Sequence, residues 1–202
     1  MRQALFVFVF LCGFSPRLFA QRYYSDEVPR YELGLQFDIA NIDGVGASGG
    51  LGLRLHYNFN EHVALDSELS YGSNNVSTGA QASLTTFLTG VRVGQRVANS
   101  GFFLRARGGF LHYDAGNGSS LLSRDTFPAF DAGGTLEQYF GSRPWEQNMV
   151  FRIELGALIV PYGSATLLPP PPPAIQIPPG LSGPLGTRVG AVLGFGIGFR
   201  FL

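Results

Sequence analysis

The 202-residue chain contains no lysine: all 14 of its basic residues are arginine, and 14 acidic residues balance them to a net charge of zero. Zero net charge gives no indication of a nucleic-acid partner. Positive charge carried only by arginine suits confined, paired positions, where a planar fork can hold a carboxylate. Cysteine is almost absent as well. The only one, Cys12, lies in the apolar run "ALFVFVFLCGF" (4–14). With Arg2 before it and "RLFA" (17–20) after it, this run reads as a secretory signal at 1–20, cleaved after Ala20. The exported chain would then have no thiol, which excludes disulfides, thiolate metal sites and cysteine nucleophiles. Long hydrophobic runs are missing too: 11 apolar residues are too few for a spanning helix, and no later stretch comes near the roughly 20 required. If the chain enters a membrane, it does so as strands.

What is abundant is alternation. Apolar residues recur with period two in eight segments, the pattern of a strand with two unlike faces. The first four are 31–41, 50–59, 63–71 and 86–97, in which Leu33, Leu53, Leu69 and Val91 share the apolar face. The second four are 102–110, 130–140, 149–159 and 191–202. The last reads "AVLGFGIGFRFL", with Leu193, Phe195, Ile197, Phe199 and Phe201 on one face and Gly194, Gly196, Gly198 and Arg200 on the other. Glycine, at 28 copies, lies mostly within such segments. No helix is expected after the signal.

Connections at 60–62, 98–100 and 141–148 are short, and they alternate with mostly longer ones at 42–49, 72–83, 114–127 and 161–186. Strands of about 9–11 residues, with short turns at one end and longer loops at the other, are the pattern of an outer-membrane barrel. The expected fold is all-β: an eight-stranded antiparallel transmembrane β-barrel, in up-and-down meander order, over 31–202. Lipid would cover the apolar face, and closure would remove the free edges. Residues 21–30 would form a short periplasmic tail. Aromatic girdles are expected from Tyr31, Tyr57, Phe59, Phe102, Phe140, Phe199 and Phe201 on the short-turn side, with Tyr71 and Phe110 near the other.

With its terminal "GFGIGFRF" and the strand-like "FLTGVRVGQR" (87–96) and "FDAGGTLEQYF" (130–140), the sequence resembles the small OmpA/OmpX-like outer-membrane barrels. The resemblance implies residence in the outer membrane of a Gram-negative cell. It also implies an assembly signal at Phe195, Ile197, Phe199 and Phe201, read by the barrel-insertion machinery. No peptidoglycan-binding domain is expected after the last strand.

The inward face should carry seven acids, Glu32, Asp38, Asp66, Glu68, Asp131, Glu137 and Glu154. Seven bases face them: Arg54, Arg92, Arg96, Arg105, Arg107, Arg152 and Arg200. Eight strands leave room for side chains but no open lumen, so these charges are expected to plug the barrel as salt bridges. His56 should join them, and His62 lies in a turn. No cofactor or metal site is expected. "GVGASG" (44–49) has dinucleotide-fingerprint spacing, yet a strand rather than a helix follows it, so it reads as a hairpin loop. His112, Asp114 and Ser119 leave open a lipid-modifying acyl hydrolase or acyltransferase at the outer rim. A narrow ion-conducting pore is a second alternative. The favoured reading is a monomeric, non-enzymatic barrel with a structural or surface-interaction role in its loops. The proline-rich "LLPPPPPAIQIPPG" (167–180) would project from the longest loop as a stiff rod, available to a surface ligand.

Overall fold

The computed structural model describes residues 29–76, 81–97, 99–114, 122–141, 148–167 and 183–201. Eight strands follow in order: Tyr31–Ile42 (β1), Gly46–Asn58 (β2), Val63–Val76 (β3), Gln81–Val97 (β4), Ser100–Asp114 (β5), Thr126–Phe140 (β6), Met149–Gly163 (β7) and Gly186–Phe201 (β8). Each pairs antiparallel with its neighbour, and β8 closes on β1 from Tyr31↔Phe201 to Ile42↔Gly190, giving a closed barrel in meander order. No edge is left to template pairing with another chain.

The outward faces are apolar through the middle of the barrel. Leu35, Leu51, Leu53, Leu104 and Leu155 are each more than half exposed, a surface that lipid covers. At the short-turn end, Tyr31 packs on Tyr57 and Phe201, and Tyr57 on Phe59. Near the other end, Phe87 packs on Phe110. The β2–β3 turn is held by Asn60, whose side-chain oxygen accepts from the backbone N–H of His62 and Val63, both at 2.8 Å.

At the long-loop end the strands run further than the sequence pattern indicates. The first connection is only the turn 43–45, in which Gly44 takes a left-handed φ of 71°. Gly46 to Gly49, expected in a hairpin loop, belong to β2. Likewise β3 continues to Val76, β5 to Asp114 and β7 to Gly163, while β4 begins at Gln81 and β6 at Thr126. The cause is a change of solvent. Beyond the lipid belt the outside of a barrel meets water, so polar residues turn outward and apolar ones inward.

That inversion builds an apolar core inside the outer half of the barrel. Leu84, Leu88, Leu111, Tyr113, Phe127, Leu158, Val160 and Tyr162 point inward and are buried. Val45, Leu122, Ala165, Leu167 and Leu185 close over them from the loop bases. There the Leu122↔Leu167 bridge, with Ser123 N–H donating to the Thr166 carbonyl at 3.1 Å, ties two loops across the mouth. The expectation of a uniformly polar lumen is therefore corrected: charged side chains fill the short-turn half and the middle, while the outer half is mainly apolar, although Asn74 is also buried there.

Candidate functional site: the barrel interior

Burial of so many charges is possible because the glycines clear space for them. A β-carbon at Gly194 would come within 2.6 Å of Asp38 Oδ1, and one at Gly198 within 2.7 Å of Glu32 Oε1. One at Gly196 would overlap the Gln36 amide. The inner face of β8 is thus a groove for side chains of β1 and β7, which is why its apolar outer face alternates with almost bare backbone.

From the short-turn end inward, the first level holds Arg96 and Arg200. Arg96 donates to Asn58 Oδ1 at 2.7 Å, to the Glu61 carbonyl at 3.1 Å and to the Tyr139 hydroxyl at 3.2 Å. Its guanidinium lies 5.0 Å from the Phe103 ring centre, while that of Arg200 lies 4.6 Å from that of Tyr139. Among the described residues neither forms an ion pair with a carboxylate.

Next comes Glu137, which accepts from Arg92 and, at 2.7 Å, from Arg152 Nε, while Tyr139 donates to it at 2.5 Å. Arg152 also pairs with Glu32. His56 lies between Glu32 at 3.1 Å and Asp66 at 3.0 Å. Deeper, Arg54 grips Asp66 with two N–H groups and Glu154 with a third. Arg105 spans Asp131 at 2.7 Å and Glu154 at 2.5 Å. Arg107 spans Glu68 at 2.6 Å and Asp131 at 2.8 Å. Charge-assisted, forked contacts of this kind are among the stronger polar interactions.

Asp38 stands apart from this ladder. Its Oδ1 accepts from Gln36 at 3.1 Å, and its Oδ2 has no hydrogen-bond partner among the described residues. It borders a cavity of about 50 Å³ between the charges, Glu68, Arg107 and Asp131, and the apolar core at Leu84, Leu88 and Leu158. A space of this size with polar walls can hold water.

Two groups could in principle ligate a metal: Glu32 with His56 and Glu137, and Asp38 with Glu68 and Glu154. In the first, Arg152 already bridges Glu32 and Glu137. In the second, Arg54 and Arg105 hold Glu154 while Arg107 holds Glu68. Guanidinium groups thus supply the positive charge a cation would bring.

At the outer rim, His112 faces outward and its Nδ1 meets Thr126 Oγ1 at 2.8 Å. Asp114 also faces outward, and Ser119 lies outside the described residues. His62 is exposed beside Glu61 at 3.2 Å, with its Nδ1 3.0 Å from the Gly94 carbonyl. The four aromatic and aliphatic residues of the closing strand, Phe195, Ile197, Phe199 and Phe201, all face outward and are exposed. The ladder's further polar partners, Gln36, Asn58, Thr135 and Tyr139, stand on the same inner phase of their strands; the alternation places the first three there, whereas the aromatic Tyr139 does not register as a polar position.

A closed eight-stranded barrel with an apolar belt and a charged interior needs a membrane around it. The sequence profile of the outer membrane protein beta-barrel domain matches residues 6–157. The chain belongs to that family. It is an outer-membrane protein. It superposes on Neisserial surface protein A with a TM-score of 0.52 at 12% identity, covering 85% of this chain and 96% of that one. Two further similar structures are Ail, the attachment invasion locus protein of Yersinia pestis, and OprG of Pseudomonas aeruginosa. Ail scores 0.43 at 16% identity, covering 85% of this chain and 96% of that one. OprG scores 0.47 at 11% identity, covering 87% and 97%. No curated protein matches the sequence.

Proposed function

We propose that this outer-membrane barrel is a non-conducting, non-enzymatic scaffold whose external loops carry a structural or surface-interaction role. The observation that carries this reading is the double closure of the lumen. Forked ion pairs fill one half, and Leu111, Tyr113, Phe127, Leu158 and Tyr162 fill the other under the loop bases. A pore would need a hydrated path through both. The enzymatic alternative would rest on His112, which faces outward at the rim with its Nδ1 2.8 Å from Thr126 Oγ1.

The loop between β7 and β8, 164–185, is the part best suited to meet a ligand. Its proline run falls in 168–182, outside the described residues, and consecutive prolines of this kind favour a stiff segment that docks with little entropy to lose. Phe195, Ile197, Phe199 and Phe201 serve as the segment recognised during insertion, after removal of 1–20. The protein works as a monomer, as a closed barrel without edges allows.

The test is permeation. Purified protein in planar bilayers should add no conductance steps above the bare membrane, and liposomes carrying it should not swell in small sugars. Reproducible steps, altered by Arg105→Ala, would establish the pore instead. Release of acyl chains from lipid A that His112→Ala abolishes would establish the enzyme.

A further inference from the structure

The position of β8 is the one that connections fix least. No turn joins it to β1, and its link to β7 is the connection 164–185, the longest between any two strands. Short turns set register, and a connection of that length does not. Side chains must therefore hold β8 in place.

Most of them do not distinguish one register from the next. On the outer face Leu193, Phe195, Ile197 and Phe199 lie opposite Ile39, Phe37, Leu35 and Leu33, all of them large and apolar. A slip of two residues keeps both faces and exchanges like for like. On the inner face Gly194 and Gly196 lie opposite Asp38 and Gln36 of β1, and opposite Glu154 and Arg152 of β7. Sliding β8 by two residues toward the long loops would bring Gly196 and Gly198 to these positions, bare backbone once more. It would also carry Val192 from Ala40 and Gly156 to Ile42 and Leu158, both in the apolar core. The Tyr31–Phe201 stack would be lost, but Tyr31 would keep Tyr57.

Arg200 is the residue that resists this move. It lies directly opposite Glu32 and is buried, with its guanidinium 4.6 Å from the Tyr139 ring centre in β6. Opposite charges that face each other across a strand pair attract. Glu32 gives Oε1 to Arg152 and His56, while its Oε2 and the Nε of Arg200 are buried without a hydrogen-bond partner among the described residues. The slip would carry Arg200 about 7 Å into the barrel. There it would lie opposite Gly34 and Val150, off Tyr139 and two residues nearer Arg152. A buried cation that faces no carboxylate and approaches another cation is strongly disfavoured.

We propose that Arg200 is the register key of barrel closure, a positioning residue that Glu32 and Tyr139 hold at one alignment of β8 on β1. Buried charge suits this task, since specifying register is a well-attested use of a polar group in a core. The role concerns folding of the barrel and holds whether or not the loops bind a ligand.

The experiment follows disulfide formation on the lipid-facing side of the seam, in the full chain refolded into vesicles, with the joined peptides identified by mass spectrometry. Directly opposite residues are within disulfide reach, and residues offset by two are not. Leu35→Cys with Ile197→Cys therefore reports the observed register, and Leu35→Cys with Phe199→Cys the slipped one. With Arg200 in place only the first pair should join. Arg200→Gly should raise the yield of the second pair about tenfold. Arg200→Lys, which keeps a long cation opposite Glu32, should leave the first pair dominant. Arg200→Gln covers the case in which glycine prevents closure, and it too should admit the second pair. A single register in the uncharged variants would overturn the proposal. So would slippage in Arg200→Lys as large as in Arg200→Gly, because charge at this position would then not select the alignment.

Discussion

Gly108 and Gly109 are adjacent in β5 but meet different neighbours. A β-carbon at Gly109 would collide with the Phe87 carbonyl of β4, whereas one at Gly108 would reach only ordinary contact with the Phe130 ring at 3.5 Å. Backbone cannot yield as a side chain can, so Gly109→Ala should cost about 1–3 kcal/mol. Gly108→Ala should stay within roughly 0.5 kcal/mol. Urea unfolding in vesicles separates the two, and equal losses would refute the close strand approach. The interior arginines give the complementary case. Arg54 is enclosed by Asp66 and Glu154, so Arg54→Met leaves two buried carboxylates short of a partner. The expected loss is about 3–5 kcal/mol, measured in the same way. Partners of this kind are hard to read from sequence: Arg54 and Glu154 are 100 residues apart, and only the curvature of the closed sheet brings them together.

Along a single strand the environment changes with depth. In β5, Phe102, Leu104 and Phe110 face lipid while Arg105 and Arg107 face inward. One turn of the pattern later His112 and Asp114 face out, and Leu111 and Tyr113 face in. The phase is unbroken; only the polarity of the two faces exchanges. Reading apolar residues as the outward set therefore ends each strand too early, where water replaces lipid. The inverted stretches "LHYD" (111–114) and "TFPAF" (126–130) were legible as strand once the outside was allowed to change solvent. A charge scan measures this depth profile directly. Leu53→Arg, in the apolar belt, should destabilise the barrel by about 2–4 kcal/mol. Thr85→Arg, on the outward face beside His112, should cost at most about 1 kcal/mol. Equal costs at the two positions would place the lipid boundary elsewhere.

For the whole molecule, closure is the organising fact. Every strand has two neighbours, and the β1–β8 seam is as regular as the other ladders. Such a barrel should resist mild detergent. The unboiled protein should migrate differently in electrophoresis from the boiled protein, and variants at Gly109 or Arg54 should convert at lower temperature. Absence of a heat-dependent shift would contradict a closed barrel. The sequence alone determined the strand count, the antiparallel order and the lipid-facing set. These follow from period-two alternation and turn spacing, which are local properties. Only the tertiary structure decided which arginine grips which carboxylate, that Arg96 and Arg200 form no ion pair among the described residues, and that an apolar core seals the outer half. Those outcomes depend on how far each strand slides past the next and on where lipid gives way to water, and no short stretch of sequence encodes either one.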